Sequence, residues 1–180
     1  MKAVLDACVL FPTVLREILL GAADRGLYQP IWSERILQEW VRATAKLGPV
    51  AQMQAEGEAA MLRARFPKAN MRAFPEIEAR LLLPDANDLH VLALGIGGHA
   101  DCIVTVNNID FPRHVLAAEG LSRRGPDSLL WELWSHHPDE IEASIGVVHA
   151  TAQRISGQEI SLKSLLKRAQ LPKLAKSILA

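Results

Sequence analysis

The chain of 180 residues has few cysteines and no long apolar run, and each scarcity excludes a class of protein. Two cysteines, Cys8 and Cys102, are too few for the disulfide framework of a small secreted domain, so we expect reduced thiols in strand-like segments. No segment reaches the roughly 20 apolar residues that a transmembrane helix needs. Asp6 interrupts the first apolar run before it is long enough for a signal peptide. The sequence therefore predicts a soluble cytoplasmic protein with no membrane partner.

An excess of charge of one sign is also missing. The 20 lysines and arginines equal the 20 aspartates and glutamates, which argues against a generally basic nucleic-acid binder. The charges are nevertheless segregated, because residues 161–180 contain five basic side chains and no acidic one. This basic segment has three interpretations: a solvated helix face, a surface for RNA phosphates, or a docking site for a partner protein.

Hydrophobic residues make up 49% of the chain, which is enough for a buried core. Short apolar segments at residues 2–6, 28–32 and 101–106 predict strands, and a further short strand is expected within 70–83. Longer segments between them have helical periodicity. This alternation predicts an α/β domain around a mainly parallel sheet.

The C-terminal part has a different pattern. Beyond residue 126 the strand signals stop, and helical segments are separated by proline and glycine. We therefore predict one domain over residues 1–130 and a helical extension or small domain over 131–180.

Several acidic residues lie where strands end and helices begin. Asp6 closes the first strand, Asp85 and Asp88 share one face at a helix start, and Asp110 follows the strand at 101–106. The carboxyl ends of parallel strands form the ligand-binding edge of such a sheet. Converging carboxylates repel one another unless a divalent cation compensates them, and oxygen ligands select Mg²⁺ or Mn²⁺. Since such a cation can activate water and neutralise a phosphodiester, the pattern predicts phosphoryl chemistry.

The histidines form no zinc-binding spacing and have no accompanying cysteine pair. We expect surface or capping positions for all of them: His90, His99, His114, His136, His137 and His149.

Four motifs in the first 130 residues together resemble the PIN domain family, which includes ribonuclease toxins of the VapC type. They are Val4-Leu5-Asp6-Ala7, Glu39 before Trp40, Asp85-Ala86-Asn87-Asp88-Leu89-His90-Val91-Leu92-Ala93, and Thr105-Val106-Asn107 followed by Asp110-Phe111-Pro112. The resemblance implies a three-layer α/β fold, in which helices flank a mainly parallel central sheet, with a small C-terminal helical extension. It also implies metal-dependent cleavage of RNA.

The resemblance assigns roles to acidic residues by position. Asp6 matches the first acid of the family, Glu39 the second acid on a helix, and Asp88 the acid that opens the third conserved helix. Asp85 is an additional acid on the same helical face, and we expect it to support the site.

The fourth acidic position departs from the family pattern. The family often has an aspartate where this chain has Asn107, which brings no charge although its carbonyl oxygen can coordinate a cation. Asp110, three residues later, is expected to take over, with Thr105 and Asn107 in supporting roles. The resemblance thus implies that three aspartates hold Mg²⁺ or Mn²⁺: Asp6, Asp88 and Asp110. It also implies that these three residues act in catalysis together with Glu39.

Three functions follow from these observations. The first is a metal-dependent endoribonuclease, as the toxin of a bacterial toxin–antitoxin pair, with an antitoxin protein and a second copy of the chain as further expected partners. The second is a non-catalytic PIN-like module that binds RNA or protein, which Asn107 motivates. The third, a phosphotransfer enzyme with Asp6 as nucleophile, is disfavoured because Asp6-Ala7-Cys8 lacks the Asp-x-Asp pattern of haloacid-dehalogenase-like phosphatases.

Overall fold

The computed structural model describes residues 1–180 and contains five short strands and eleven α-helices. The strands are β1 (Lys2–Leu5), β2 (Gln29–Ser33), β3 (Asn70–Met71), β4 (Cys102–Val104) and β5 (Ser122–Arg124). The helices are α1 (Ala7–Leu10), α2 (Thr13–Asp24), α3 (Glu34–Thr44), α4 (Pro49–Arg65), α5 (Pro75–Glu78), α6 (Leu89–Gly97), α7 (Arg113–Ala118), α8 (Pro126–His136), α9 (Pro138–Ser156), α10 (Leu162–Arg168) and α11 (Pro172–Ile178).

The five strands form one sheet in the order β3-β2-β1-β4-β5, and every pairing is parallel. In the central strand β1, Val4 pairs with Ile31 of β2 on one side and with Ile103 of β4 on the other. These three residues are fully buried, as expected of a parallel sheet that is covered on both faces. The predicted α/β fold with a parallel sheet is confirmed.

The order of the strands creates a switch point between β1 and β4. The chain runs from β1 outwards through β2 and β3, and then returns to the other side of β1 as β4. Ligand crevices in open α/β sheets form at such a point, beyond the carboxyl ends of the strands. Asp6 follows β1 and Thr105 follows β4, and the backbone N–H of Asp6 donates to the carbonyl of Val104 at 3.2 Å. Both predicted site residues therefore lie at the switch point.

Helix α6 packs against the central strands and begins near the same edge. Its apolar side chains Val91, Leu92 and Leu94 are buried, and the helix contacts β1, β2 and β4. Because α6 leads into a parallel strand, its first turn lies at the carboxyl edge of the sheet. Asp88 immediately precedes this helix.

Two local elements differ from the sequence prediction. Strand β1 ends at Leu5, and α1 follows at once, with the carbonyl of Asp6 accepting the N–H groups of Val9 and Leu10. Cys8 therefore lies in a helix and not in the predicted strand-like segment, whereas Cys102 lies in β4, and both thiols are free. Strand β5 was not predicted, because the polar sequence Ser-Arg-Arg forms an edge strand that pairs with β4 alone.

The chain divides into two compact units. The first unit, residues 1–11 and 29–124, contains the whole sheet with α1 and α3–α7. The second unit, residues 12–28 and 125–180, contains α2 and the predicted C-terminal helices α8–α11. A separate domain over residues 131–180 stays a prediction. None of the helices combines the length and the apolar composition that a membrane span requires.

Candidate metal centre

Three aspartates of the first unit converge at the carboxyl edge of the sheet. Asp85, Asp88 and Asp110 each place one carboxylate oxygen within 4.8 Å of the others, and all three side chains are partly buried. Asp85 caps the 3₁₀ turn Ala86–Asp88 by accepting the backbone N–H of Asn87 at 2.9 Å. This turn presents Asp88 at the start of α6, and Asp110 comes from the loop after β4. The predicted convergence of distant acids therefore occurs for these three.

Burial and the negative charges of the site raise the pKa of Asp88. Its pKa is raised to about 6, first by burial and then by the charges of four neighbouring acids: Asp6, Asp85, Asp110 and Glu39. All the predicted acids thus lie close enough to interact electrostatically with Asp88. A cation at this position would relieve that repulsion.

Asp6 is buried beside this cluster and is held by two neighbouring side chains. It is 6% exposed, and its Oδ2 accepts the hydroxyl of Thr105 at 2.7 Å and the thiol of Cys8 at 3.0 Å. Burial, followed by the charge of Asp6, raises the pKa of the Cys8 thiol to about 12. The three-aspartate group contains Asp85 where the sequence prediction had Asp6, so a ligand set that includes Asp6 stays a prediction.

Glu39 approaches from α3 and is held by two basic side chains. Its Oε1 lies 3.2 Å from Nε of Arg35 and 3.0 Å from Nε2 of His90. Burial raises the pKa of Glu39, but His90 and Arg35 together outweigh this effect, and the pKa is lowered. Arg35 also donates to the carbonyl of Asn87 at 3.2 Å, so it connects α3 to the turn that carries Asp88.

His90 is a site residue that the sequence prediction missed. It is only 7% exposed, and although Nε2 is within ion-pair distance of Glu39, neither ring nitrogen makes an aligned hydrogen bond. The predicted surface or capping position is therefore wrong for this histidine. The sequence feature that could have indicated its burial is its place at the start of an apolar run, because the four residues that follow it, Val91 to Leu94, are all buried.

Asn107 connects two of the clustered aspartates. Its Nδ2 donates to Asp88 Oδ2 at 3.2 Å and to Asp110 Oδ2 at 2.7 Å. Its carbonyl oxygen accepts the backbone N–H of Asp110 at 3.3 Å, and its own backbone N–H donates to the Thr105 hydroxyl at 2.9 Å. The predicted supporting residues Thr105 and Asn107 are therefore in direct contact with the acidic residues.

The donor set fits a hard divalent cation. The three convergent oxygens all come from carboxylates, and no thiolate or imidazole joins their group. Mg²⁺ and Mn²⁺ prefer such oxygen ligands and complete their coordination with waters. The residues present can therefore hold one of these ions.

Comparison with known proteins identifies the first part of the chain. The sequence model of a family described as PIN domain matches residues 2–109, which is more than half of the chain. The matched range includes Asp6, Glu39, Asp85 and Asp88 and ends one residue before Asp110. No curated protein and no solved structure matches the chain.

Proposed function

This chain belongs to the PIN domain family, and we propose that it is a metal-dependent endoribonuclease whose cation is Mg²⁺ or Mn²⁺. The single observation that carries the proposal is the convergence of Asp85, Asp88 and Asp110 within 4.8 Å. PIN domains are typically metal-dependent nucleases, and a carboxylate cluster at the ligand-binding edge of the sheet supports the same chemistry.

In the proposed site, Asp85, Asp88 and Asp110 hold the cation, and Asp6 completes the negative environment from its buried position. A bound Mg²⁺ or Mn²⁺ supplies Lewis-acid activation of water and neutralises charge on the phosphodiester. The pKa of Glu39 is lowered from an ordinary value that already lies well below 7, so its carboxylate is ionised at neutral pH and adds to the negative potential that attracts the cation. Thr105 keeps the Asp6 carboxylate in one orientation through its 2.7 Å hydrogen bond.

RNA as the substrate, a toxin role, an antitoxin partner and a homodimer are further parts of this proposal. They rest on the likeness of the four sequence motifs to VapC-type toxins. A toxin role predicts that expression of the wild-type chain arrests bacterial growth and that Asp88→Asn abolishes the arrest. Growth arrest by both proteins would contradict a toxic nuclease activity.

The nuclease proposal is tested with purified protein and labelled single strands of RNA and DNA of one sequence. We expect Mn²⁺-dependent cleavage of RNA that EDTA abolishes and that Asp88→Asn reduces by at least about 100-fold. Glu56→Gln is the matched control, because it also removes one carboxylate charge, from an exposed position on α4. Undiminished cleavage by Asp88→Asn would refute the site. RNA binding without cleavage at any Mn²⁺ concentration would favour the non-catalytic module.

A further inference from the structure

Asn107 occupies the position at which the family resemblance leads one to expect a fourth acid, and its side chain faces the cluster with its amide nitrogen. We propose that Asn107 is a positioning residue, whose NH₂ group holds Asp88 and Asp110 side by side, and that it is not a cation ligand through its carbonyl oxygen. The inference rests on the proposed function, because it assigns a role to Asn107 within the same site.

The orientation of the amide is fixed by the chemistry of its partners. On one side lie the carboxylate oxygens of Asp88 and Asp110, which are hydrogen-bond acceptors and so require the NH₂ group. On the other side lies the backbone N–H of Asp110, which only donates and so requires the carbonyl oxygen. A flipped amide would place oxygen against two carboxylates and NH₂ against N–H. All three contacts would then be lost, so this orientation is the satisfied one.

Asn107 also connects the cluster to the buried acid. Its backbone N–H donates to Thr105 Oγ1, and this hydroxyl donates in turn to Asp6 Oδ2. The chain of hydrogen bonds therefore runs from Asp6 through Thr105 and Asn107 to Asp88 and Asp110. The side chain of Asn107 thus joins Asp88 to Asp110. Its backbone N–H joins both to Asp6 through Thr105, so one residue links acids from three separate segments of the sequence.

A positioning role explains why an uncharged residue is useful here. Two carboxylates that share an NH₂ group are held close without a cation, since each accepts a hydrogen bond in place of facing the other charge. An aspartate at position 107 would instead add a further negative charge to three acids already within 4.8 Å of one another. Asn107 thus preorganises the ligands before a cation binds.

The test compares Asn107→Ala and Asn107→Asp in the full chain, by thermal unfolding in EDTA and by calorimetry with Mg²⁺. We expect Asn107→Ala to lower the apo Tm by about 3 °C or more, because two hydrogen bonds to charged groups are lost. Asn107→Asp is expected to lower it further, and saturating Mg²⁺ is expected to recover much of that loss. Mg²⁺ affinity of Asn107→Ala should fall about 10-fold at unchanged stoichiometry, as for other residues that orient ligands.

Asn108→Asp is the matched control. It places the same charge one residue away, on an exposed side chain, and should change neither the Tm in EDTA nor the Mg²⁺ affinity. An Asn107→Ala variant that keeps the wild-type Tm in EDTA but loses Mg²⁺ binding would overturn the proposal, since a residue that is only a ligand has no role without the cation. Failure of the wild type to bind Mg²⁺ would refute the proposed function but leave the EDTA comparison valid.

A measurement on the wild type does not depend on whether the variants fold. The side-chain amide protons of Asn107 are observable by ¹⁵N NMR, and the proposal predicts slow exchange with solvent both in EDTA and in Mg²⁺. Fast exchange on addition of Mg²⁺ would mean that the NH₂ group leaves the carboxylates, and would overturn the proposal.

Discussion

His90 Nε2 on α6 lies 3.0 Å from Glu39 Oε1 on α3, within the first unit. The contact joins the helix that follows Asp88 to the helix that carries the second acid of the site. His90 is almost completely buried, whereas Glu39 is about one third exposed. The histidine therefore approaches Glu39 from the protein interior and limits the positions that its carboxylate can take.

Replacing His90 with leucine should change Glu39 more than it changes the stability of the fold. Leucine fills much of the same volume, and replacing a buried imidazole without an aligned hydrogen bond should cost less than about 1 kcal/mol. Glu39 loses one of its two basic partners, so its pKa should rise, and cleavage should fall by roughly 10-fold. The carboxyl ¹³C resonance of Glu39, followed through a pH titration, reports the pKa. His114→Leu, on the exposed face of α7, should leave both readouts unchanged.

The pKa of Asp88 predicts how the stability of the apo protein depends on pH. Its pKa in the folded state is about 6, against a usual value of 3.8, so the folded state binds more protons than the unfolded state between these values. Stability in EDTA should therefore fall as the pH rises from about 4 to 6 and stay lower above 6.

Asp88→Asn removes this pH dependence. We expect the variant to be more stable than the wild type in EDTA at pH 7 by about 1 kcal/mol, since Asp88 is only partly buried and solvent screens part of the repulsion. The gain should disappear at pH 4. Unfolding by urea at a series of pH values measures it, and a variant that is less stable than wild type at pH 7 would contradict the repulsion.

Gly97 gives a prediction about packing at the end of α6. A Cβ atom at this position would overlap the ring of Phe74, which is itself 8% exposed. Gly97→Ala should therefore destabilise the protein by about 1–3 kcal/mol, measured by urea unfolding. Gly57→Ala on α4 is the matched control, because nothing lies within 4 Å of its added Cβ, and it should stabilise the helix by about 0.5–1 kcal/mol. Equal effects of the two substitutions would contradict the close contact at Phe74.

The Cys8 thiol should resist alkylation. A pKa of about 12, caused first by burial and then by Asp6, leaves roughly 1,000-fold less thiolate at pH 8 than the ordinary pKa of 9.0 would. Iodoacetamide labelling at pH 8, read by peptide mass spectrometry, should modify Cys8 in urea but scarcely in the folded protein. Rapid labelling of folded Cys8 would show that it is more accessible or more acidic than this environment allows.

Much of the fold could be predicted from the sequence because its central elements are uniformly apolar. The strands at residues 2–5 and 102–104 are buried in the middle of the sheet, and α6 packs against them, so the length of each apolar run distinguishes the short strands from the longer helix. Strand β5 could not be predicted in this way, since an edge strand of serine and arginine depends on backbone pairing with β4. The four-residue helix α1 is too short to have a periodic signal.

The site could be predicted in part for a similar reason. Asp6, Asp88 and Asp110 each follow or precede an element with a clear apolar pattern. Their position at the carboxyl edge of a parallel sheet can therefore be predicted from the order of strands and helices. The distance between Asp88 and Asp110 depends on how the loop at Asn107 folds back, through hydrogen bonds that no linear spacing encodes. The burial of His90 depends likewise on a partner from another helix.

The most direct test of the metal centre is anomalous scattering from Mn²⁺ in crystals of the wild-type protein. The proposed function predicts a Mn²⁺ peak at coordination distance from carboxylate oxygens of Asp85, Asp88 and Asp110, and no such peak in crystals of Asp88→Asn. Mn²⁺ bound only elsewhere on the protein, or no peak at saturating Mn²⁺, would contradict the assignment of these aspartates as the cation site.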